Sequence, residues 1–327
     1  MHKLLLLGDE AIAQAALDAG LSGMYAYPGT PSTEIMEYIQ ASRQAADDRV
    51  HREWSSNEKT AMEAALGMSY AGRRAMVAMK HVGLNVAADA FVNSAVTGVN
   101  GGLVVVAADD PSMHSSQNEQ DSRFYGRFAM VPVLEPRNQQ EAYDMIFDAF
   151  ALSEKYRLPV LFRITTRLAH SRSAVGRREK AVQNSLTLPS DPRQFVLLPA
   201  IARKQYRRLT GIYEKLHDDP VIEGNNRLTE GKGREMGIIA CGIAYNYLME
   251  NIGDRAGEYN ILSVGSYPLN RDKVAALVTR SDRVLVLEEG YPIIEEHLRG
   301  LLDRDVTVLG RMDGTVPRDG ELNPSIV

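Results

Sequence analysis

The stretch EWSSNEKTA at residues 53–61 carries the carboxylate best placed for chemistry, Glu58. Ser55 and Glu58 have the S-x-x-E spacing of a capping box, in which each side chain bonds the other residue's backbone amide. Such a cap stabilises a helix by about 1 kcal/mol and explains the residue types by itself. The small side chains that follow, up to Ala71, indicate instead a helix that another element approaches closely, as at a helix–helix contact between subunits. A carboxylate at the start of such a buried helix is more costly than a surface cap. Spacing alone does not decide whether Glu58 caps the helix or takes part in catalysis.

A second segment with chemical potential is YPGTPST at residues 27–33. Its two prolines fix φ and its glycine permits a tight turn, so the segment predicts a rigid loop. Such a loop could present Thr30 and backbone N–H groups to an anion. A stiff turn in which Ser32 or Thr33 caps a helix beginning at Glu34 explains the same residues, and turn chemistry alone favours that interpretation.

Two further segments are rich in polar groups. In MKHVGLN at residues 79–85, we expect Lys80 and His81 at the end of a strand, and Gly83 and Asn85 at the start of a helix. A cation, an imidazole and a helix N-terminus suit a carboxylate-bearing ligand, although a surface lysine and a loop histidine are an equally good interpretation. The long polar segment 108–123 is either functional or a solvated loop. Spacing does not rank its candidates, which are His114, Gln117, Asn118 and Arg123.

The elements around these segments predict an α/β fold with a parallel sheet. Continuous apolar runs favour strands covered on both faces, and their alternation with helical patterns favours parallel β-α units. We expect strands within 23–29, 74–83, 101–111 and 158–166, and helices over 57–71, 84–98 and 138–156. Since ligands of open α/β sheets bind at the carboxyl ends of strands, the four segments above are expected to meet there.

The pattern changes after about residue 170, which predicts a division into domains. A polar, basic stretch that looks like a linker is followed by a helical pattern at 198–217, and the alternation of strands and helices resumes at Met236. We therefore predict a first α/β domain over 1–180, a linker with a helix over 181–235, a smaller α/β domain over 236–312 and an irregular tail over 313–327.

Composition excludes several classes of protein. The 327 residues carry a formal charge of −5 without a basic block, which argues against a nucleic-acid partner. The single cysteine, Cys241, excludes an internal disulfide and a cysteine-ligated cluster. The sequence has no dinucleotide fingerprint and no P-loop, so nothing predicts a nucleotide site. It has no H-E-x-x-H metal motif and no G-x-S-x-G nucleophile motif, so spacing predicts neither a metal site nor a serine hydrolase. LLLLG near the N-terminus is too short to span a membrane, so we interpret it as a strand or helix edge and expect a cytoplasmic protein.

Several long motifs together resemble the thiamine-diphosphate-dependent 2-oxoacid:ferredoxin oxidoreductases, most of all the large (alpha) subunit of the indolepyruvate (arylpyruvate) enzymes. AYPGTPSTEI, EWSSNEKTAMEAALG, MKHVGLNVAAD, ADDPSMHSSQNEQDSRFY and PVLFRITTR look like the pyrimidine-binding domain of that family. GIIACGIAYNYL, VGSYPL and VLVLEEGYPIIEEHL look like its transketolase C-terminal-like domain. The resemblance covers nearly the whole chain and implies these two α/β domains in this order.

The resemblance implies a catalytic role for Glu58. In thiamine enzymes a glutamate bonds N1′ of the aminopyrimidine and favours the imino tautomer, whose nitrogen takes the C2 proton. The neighbouring segments then border the ligands: Pro28, Gly29, Thr30 and Asn85 the cofactor, and Thr30, Lys80, His81 and Asn85 the 2-oxoacid.

The sequence departs from the family pattern at the diphosphate half-site. No G-D-G occurs, since Gly8-Asp9 is followed by Glu10 and Gly253-Asp254 by Arg255. The resemblance therefore implies that Mg²⁺, the diphosphate site and the [4Fe–4S] clusters lie on another domain or partner chain. We expect this chain to be one subunit of a split enzyme or a piece of a longer polypeptide.

The implied reaction is oxidative decarboxylation of a 2-oxoacid to an acyl-CoA with reduction of ferredoxin. Implied partners are the 2-oxoacid, coenzyme A, ferredoxin, a subunit or domain with G-D-G…N, and a gamma- or beta-type oxidoreductase subunit, in a homodimer or hetero-oligomer. Aromatic selectivity rests on the resemblance alone. The alternatives are half of a non-oxidative thiamine-dependent 2-oxoacid decarboxylase and a non-catalytic assembly subunit of the same fold.

Overall fold

The computed structural model describes residues 3–300 and Thr315. The chain forms two compact units, Met1–Tyr291 and Pro292–Val327. The described part of the second unit contains one helix, α13 (Ile293–Arg299), and the features below belong to the first. The strand expected from DVTVLG at 305–310 lies outside the described residues, as does the predicted tail apart from Thr315.

Strands and helices alternate along the first unit. The strands are β1 (Lys3–Leu7), β2 (Gly23–Ala26), β3 (His51–Trp54), β4 (Ala75–Lys80), β5 (Leu103–Asp109), β6 (Val133–Leu134), β7 (Val160–Thr165), β8 (Arg172–Gly176), β9 (Arg227–Thr229), β10 (Gly237–Cys241), β11 (Asn260–Val264), β12 (Ser266–Tyr267) and β13 (Val284–Leu287). The helices are α1 (Gly8–Asp18), α2 (Thr33–Ala41), α3 (Arg43–Asp47), α4 (Glu58–Tyr70), α5 (His81–Thr97), α6 (Arg123–Ala129), α7 (Gln139–Tyr156), α8 (Thr166–His170), α9 (Pro199–Leu216), α10 (Pro220–Asn225), α11 (Ala244–Ile252) and α12 (Arg271–Thr279). Short 3₁₀ turns occur at Pro111–Met113, Pro192–Phe195 and Gly253–Glu258.

The main sheet has seven strands in the order β12-β6-β7-β5-β4-β2-β3. All neighbours are parallel except β12, which runs antiparallel to β6. Alternate residues of β5 enter two separate apolar cores, with Val104 in one and Val105 in the other. Both faces of the sheet are therefore covered by helices, which confirms the expectation drawn from the continuous apolar runs.

A smaller sheet of four strands has the order β13-β10-β11-β9. Strand β10 is parallel to both β11 and β13, whereas β9 is antiparallel to β11. Its core includes Ile238, Ala240, Leu248 and Ile261. The mixed α/β class with parallel sheets is thus confirmed, while the domain limits at 180, 235 and 312 stay predictions.

The N-terminal strand pairs far along the chain. Strand β1 is antiparallel to β8, with Lys3 opposite Gly176 and Leu7 opposite Arg172. The polar stretch after about residue 170 looked like a linker, but its residues 172–176 form a strand that pairs with the apolar N-terminal run. No helix within the described residues is long and apolar enough to cross a membrane.

Candidate active site

Four loops meet at the carboxyl edge of the main sheet. The adjacent parallel strands β3, β2, β4 and β5 end at Trp54, Ala26, Lys80 and Asp109. Because parallel strands point the same way, the segments that follow them emerge at one edge. The structure therefore brings the four sequence-predicted segments to the same side of the sheet.

The cap of α4 is not the one that spacing predicted. Asn57 is the N-cap, and its Oδ1 accepts a hydrogen bond of 2.9 Å from the backbone N–H of Thr60. Thr60 closes the capping box through its Oγ1, which accepts from the Asn57 N–H at 3.3 Å. The predicted Ser55–Glu58 box is thus wrong by two positions, since Glu58 is the first helical residue. Its carboxylate is not used for capping.

Glu58 packs instead against the start of α5. A Cβ built on Gly83 would lie 2.6 Å from both Cγ and Oε1 of Glu58, so only glycine admits the side chain in this position. Among residues 3–300, no hydrogen bond or ion pair engages the Glu58 carboxylate. The residue is half-buried. It therefore presents an unused acceptor at the edge where the loops meet.

The helix that carries Glu58 is buried on one side only. Ala61 and Ala65 are fully buried and belong to the core between α4 and α5. Glu63 and Gly67 are exposed, and a Cβ on Gly67 would meet nothing within 4 Å. Within this chain the small side chains serve the α4–α5 contact, and the expectation of a helix start removed from water is met only in part.

The loop around Thr30 is braced by its own hydroxyls. Ser32 Oγ donates to the Gly29 carbonyl at 2.8 Å, and Thr33 Oγ1 accepts from the Gly29 N–H at 3.0 Å. Neither hydroxyl caps α2, whose N-cap Ser32 makes no side-chain cap bond, so that prediction is wrong. The Thr30–Pro31 peptide is cis, and both Pro28 and Thr30 are exposed. The brace leaves Thr30 at an exposed loop tip.

Lys80 links this loop to the segment after β5. A Cβ on Gly29 would lie 3.3 Å from Lys80 Cβ, so the two loops touch. Lys80 Nζ donates to the Ser115 carbonyl at 2.7 Å, and Ser115 Oγ donates to the Thr30 carbonyl at 3.3 Å. Thr30 and Lys80, predicted separately, are thus brought together through Ser115.

His81 and Asn85 hold the same segment from the first turns of α5. His81 begins the helix directly after β4, so the loop expected at 81–83 is absent. The His81 ring is 1% exposed, its Nε2 lies 3.2 Å from the Asn118 carbonyl, and its Nδ1 is buried without a partner in the described chain. Asn85 is exposed, donates to Gln120 at 2.9 Å and accepts from Tyr125 at 2.6 Å.

Asp110 is a buried carboxylate beside these loops that sequence reasoning did not single out. It is buried, and its carboxylate accepts from the Ser115 N–H at 2.8 Å and from Thr166 Oγ1 at 2.7 Å. Burial alone would raise its pKa, but hydrogen bonds from Ser116, Thr166 and nearby amides outweigh it and hold the pKa at about 2. No local pattern in the sequence shows that this carboxylate organises residues 114–116.

A buried ionic cluster anchors the C-terminal end of the polar segment 108–123. The Arg123 side chain, which spacing could not rank, donates to Asp121 at 2.9 Å and to Glu288 at 2.8 Å. Arg163 of β7 donates to Asp109 at 2.6 Å and pairs with Glu135. Both guanidinium groups also bond the backbone of 289–291, with Arg163 Nη2 donating to the Glu289 carbonyl at 2.8 Å and Arg123 Nη2 to the Tyr291 carbonyl at 2.9 Å.

Comparison with solved structures shows the fold. The chain is similar to 2-oxoglutarate:ferredoxin oxidoreductase from Magnetococcus marinus, solved with 2-oxoglutarate, coenzyme A and succinyl-CoA, at a TM-score of 0.74 and 17% identity over 91% of this chain and 60% of that one. It is also similar to a split-gene transketolase, solved as an inactive beta4 tetramer, at a TM-score of 0.56 and 14% identity over 90% of this chain and 85% of that one.

Curated relatives are considerably more similar in sequence. The indolepyruvate oxidoreductase subunit IorA of Methanothermobacter thermautotrophicus is 41% identical over 99% of this chain and 53% of its own length. The subunit of the same name from Archaeoglobus fulgidus is 42% identical over 98% of this chain and 52% of its own length. This chain therefore spans about half the length of these relatives.

The family pattern described as pyruvate flavodoxin/ferredoxin oxidoreductase, thiamine diphosphate-binding, matches residues 14–213. That range includes all four loops at the carboxyl edge of the main sheet. The chain therefore belongs to the thiamine diphosphate-binding family of pyruvate flavodoxin/ferredoxin oxidoreductases.

Proposed function

We propose that this chain supplies the aminopyrimidine half-site of thiamine diphosphate in a 2-oxoacid:ferredoxin oxidoreductase, with indolepyruvate or another arylpyruvate as substrate. The observation that carries the proposal is the Glu58 carboxylate, which lies on Gly83 and has no hydrogen-bonding partner among residues 3–300. A carboxylate kept for capping would be engaged with backbone amides. The names of the relatives support the substrate class.

The residues at this edge fit an aminopyrimidine ring. Glu58 offers an acceptor from the first residue of α4, and Gly83 leaves room beside it. Bound thiamine diphosphate supplies the carbanion-stabilising chemistry that protein side chains lack. Glu58 contributes a hydrogen bond to N1′ and holds a proton there, which sets the protonation state of the ring.

The remaining predicted residues have proposed roles in binding. Pro28, Gly29, Thr30 and Asn85 border the cofactor, and Thr30, Lys80, His81 and Asn85 border the 2-oxoacid. The Lys80 ammonium group has three donors, of which one bonds the Ser115 carbonyl. The other two N–H groups remain able to bind a substrate carboxylate. The His81 side chain is buried, so its proposed contribution is to hold the Asn118 backbone carbonyl in place beside the site.

The rest of the enzyme is proposed to come from outside these residues. The sequence has no G-D-G and a single cysteine, so Mg²⁺, the diphosphate and the [4Fe–4S] clusters need another domain or subunit. We assign coenzyme A and ferredoxin to the assembled enzyme. We also propose residues 1–180 as the pyrimidine-binding domain, 236–312 as the transketolase C-terminal-like domain, and a cytoplasmic location, which the single free cysteine supports.

The test uses the full-length protein assembled with its partner subunits. Glu58→Gln keeps the shape of the side chain and removes its charge. We expect arylpyruvate-dependent reduction of ferredoxin to fall by about 100-fold or more, since removing a positioned acid–base group typically has that effect. Glu63→Gln is the matched control, because Glu63 is an exposed carboxylate on the same helix.

Three outcomes would contradict the proposed function or favour one of its two alternatives. Full turnover in Glu58→Gln would show that this carboxylate is not the cofactor's partner. Release of carbon dioxide by the wild type without reduction of ferredoxin would identify the non-oxidative decarboxylase. Loss of assembly in Glu58→Gln, with no thiamine diphosphate bound by the wild-type complex, would identify an assembly subunit.

A further inference from the structure

Three side chains with metal-binding atoms meet where two helices begin. Asp9 lies in the first turn of α1, Glu34 in the first turn of α2, and His170 at the end of α8. One ligand atom from each lies within 4.8 Å of the others. His170 Nε2 stands 3.5 Å from Glu34 Oε1. Residues 9, 34 and 170 are far apart in sequence, so no spacing motif could reveal them.

The carboxylate of Asp9 is both buried and without a partner. Its relative exposure is 0%, and neither carboxylate oxygen has a hydrogen bond in the described part of the chain. Glu34 Oε2 is also buried and unpartnered there. Since burying an uncompensated charge costs several kcal/mol, this pair requires either a proton or a cation.

Close packing of backbone places the three groups together. A Cβ on Gly8 would lie 2.2 Å from the Leu168 carbonyl oxygen, so α1 begins directly against α8. That contact brings Asp9 to the helix that ends with His170. Glu34 is the second residue of α2, which directly follows the loop that contains Thr30, so the cluster lies at the C-terminal end of that loop.

We propose that Asp9, Glu34 and His170 bind one first-row divalent cation, such as Zn²⁺ or Mn²⁺. The two carboxylates match the charge of the ion. The imidazole nitrogen favours Zn²⁺ over Mg²⁺ and Ca²⁺, which prefer oxygen ligands, and the two carboxylates also suit Mn²⁺. Ligand bonds of about 2.0–2.2 Å place tetrahedral ligand atoms about 3.3–3.6 Å apart, so the cluster contracts around the ion. Water completes the coordination.

The bound ion ties α1, α2 and α8 together next to the Thr30 loop. It acts as a brace on the scaffold and takes no part in the proposed thiamine chemistry. The inference therefore stands or fails independently of the role of Glu58.

The experiment measures binding of Zn²⁺ and Mn²⁺ to the full-length protein after treatment with a chelator. We compare wild type with Asp9→Asn, Glu34→Gln and His170→Ala, and use Glu37→Gln on the exposed face of α2 as the matched control. Other metal sites are common to all variants, so the result is the difference from wild type. We expect the wild type and Glu37→Gln to bind one ion more per chain than the three variants, or to bind it at least 10-fold more tightly.

Two further measurements keep the proposal falsifiable if one variant is unstable. The melting temperature of the wild type should rise with Zn²⁺ or Mn²⁺, and that rise should be lost in Asp9→Asn, whose metal-free form should fold well because a buried charge is removed. Zinc-edge X-ray absorption should show an imidazole ligand that is absent in His170→Ala. Equal metal affinity in wild type and Asp9→Asn would overturn the proposal. A metal-independent melting temperature would also overturn it and would indicate a proton shared by the two carboxyl groups.

Discussion

The Glu58 side chain lies on Gly83, with the site of a Cβ at residue 83 only 2.6 Å from its Cγ and Oε1. Glu58 is the first residue of α4 and Gly83 lies in the first turn of α5, and these two helices follow the strands on either side of β2. The glycine thus fixes where the candidate catalytic carboxylate lies.

Gly83→Ala should damage function without damaging the helix. Alanine favours a helix over glycine by about 0.5–1 kcal/mol, but here its methyl group must displace Glu58. We expect thiamine diphosphate affinity and turnover of the assembled enzyme to fall by roughly 10-fold or more, as misplacement by about 1 Å can do. Calorimetric titration and ferredoxin reduction measure the two effects.

The control for this variant is Gly67→Ala on α4, where a Cβ would meet nothing within 4 Å. It should stabilise the protein by about 0.5–1 kcal/mol and leave turnover unchanged. Normal kinetics in Gly83→Ala would contradict the placement of Glu58.

Asn57→Ala should weaken α4. The variant removes the Oδ1 that accepts from the Thr60 N–H, and the expected loss is about 1 kcal/mol of unfolding free energy. Ser55→Ala should change stability by less than about 0.5 kcal/mol, because Ser55 makes no cap. Urea unfolding compares the two variants. A larger loss in Ser55→Ala would restore the capping box predicted from the sequence.

Asp110 should stabilise the fold in a pH-dependent way. Its folded pKa of about 2 lies below the ordinary value of 3.8, so its contribution is present above about pH 4 and is lost as the pH falls towards 2. We expect Asp110→Asn to lose on the order of 1–2 kcal/mol at pH 6, allowing for solvent screening, and to approach the wild type near pH 2. Chemical unfolding across this range measures the difference.

The exposed Asp254 provides the control for the pH series. Asp254→Asn should follow the wild type throughout. A constant difference between Asp110→Asn and wild type from pH 6 to pH 2 would show that lost packing, and not the carboxylate charge, explains the effect.

Arg163→Met should be strongly destabilising. The variant leaves Asp109 and Glu135 buried without their cation, and breaking a buried pair from one side costs about 3–5 kcal/mol. Denaturant unfolding should show this loss, whereas Arg203→Met on the exposed face of α9 should stay within about 0.5 kcal/mol of wild type. A loss below about 1 kcal/mol would mean that the cluster contributes little.

The sequence by itself determined the fold class and the approximate elements. The apolar run of β5, the helical pattern of α7 and the turn after β2 are local signals, so periodicity and turn residues were enough to predict them. Glu58 was found in the same way, as a carboxylate at the start of a helix. Its family role, however, came from resemblance and not from spacing.

Tertiary structure alone decided which atoms meet. The sequence predicted a loop ending at Gly83, but Gly83 lies inside α5, where the absence of a Cβ leaves room for the side chain of Glu58. Asn57, and not Ser55, caps α4, since its Oδ1 accepts from the Thr60 N–H. The ion pairs of Arg163 and the cluster of Asp9 with His170 join residues more than 25 positions apart. Contacts of that kind depend on how the sheet brings distant strands together, and no local pattern of residue types encodes them.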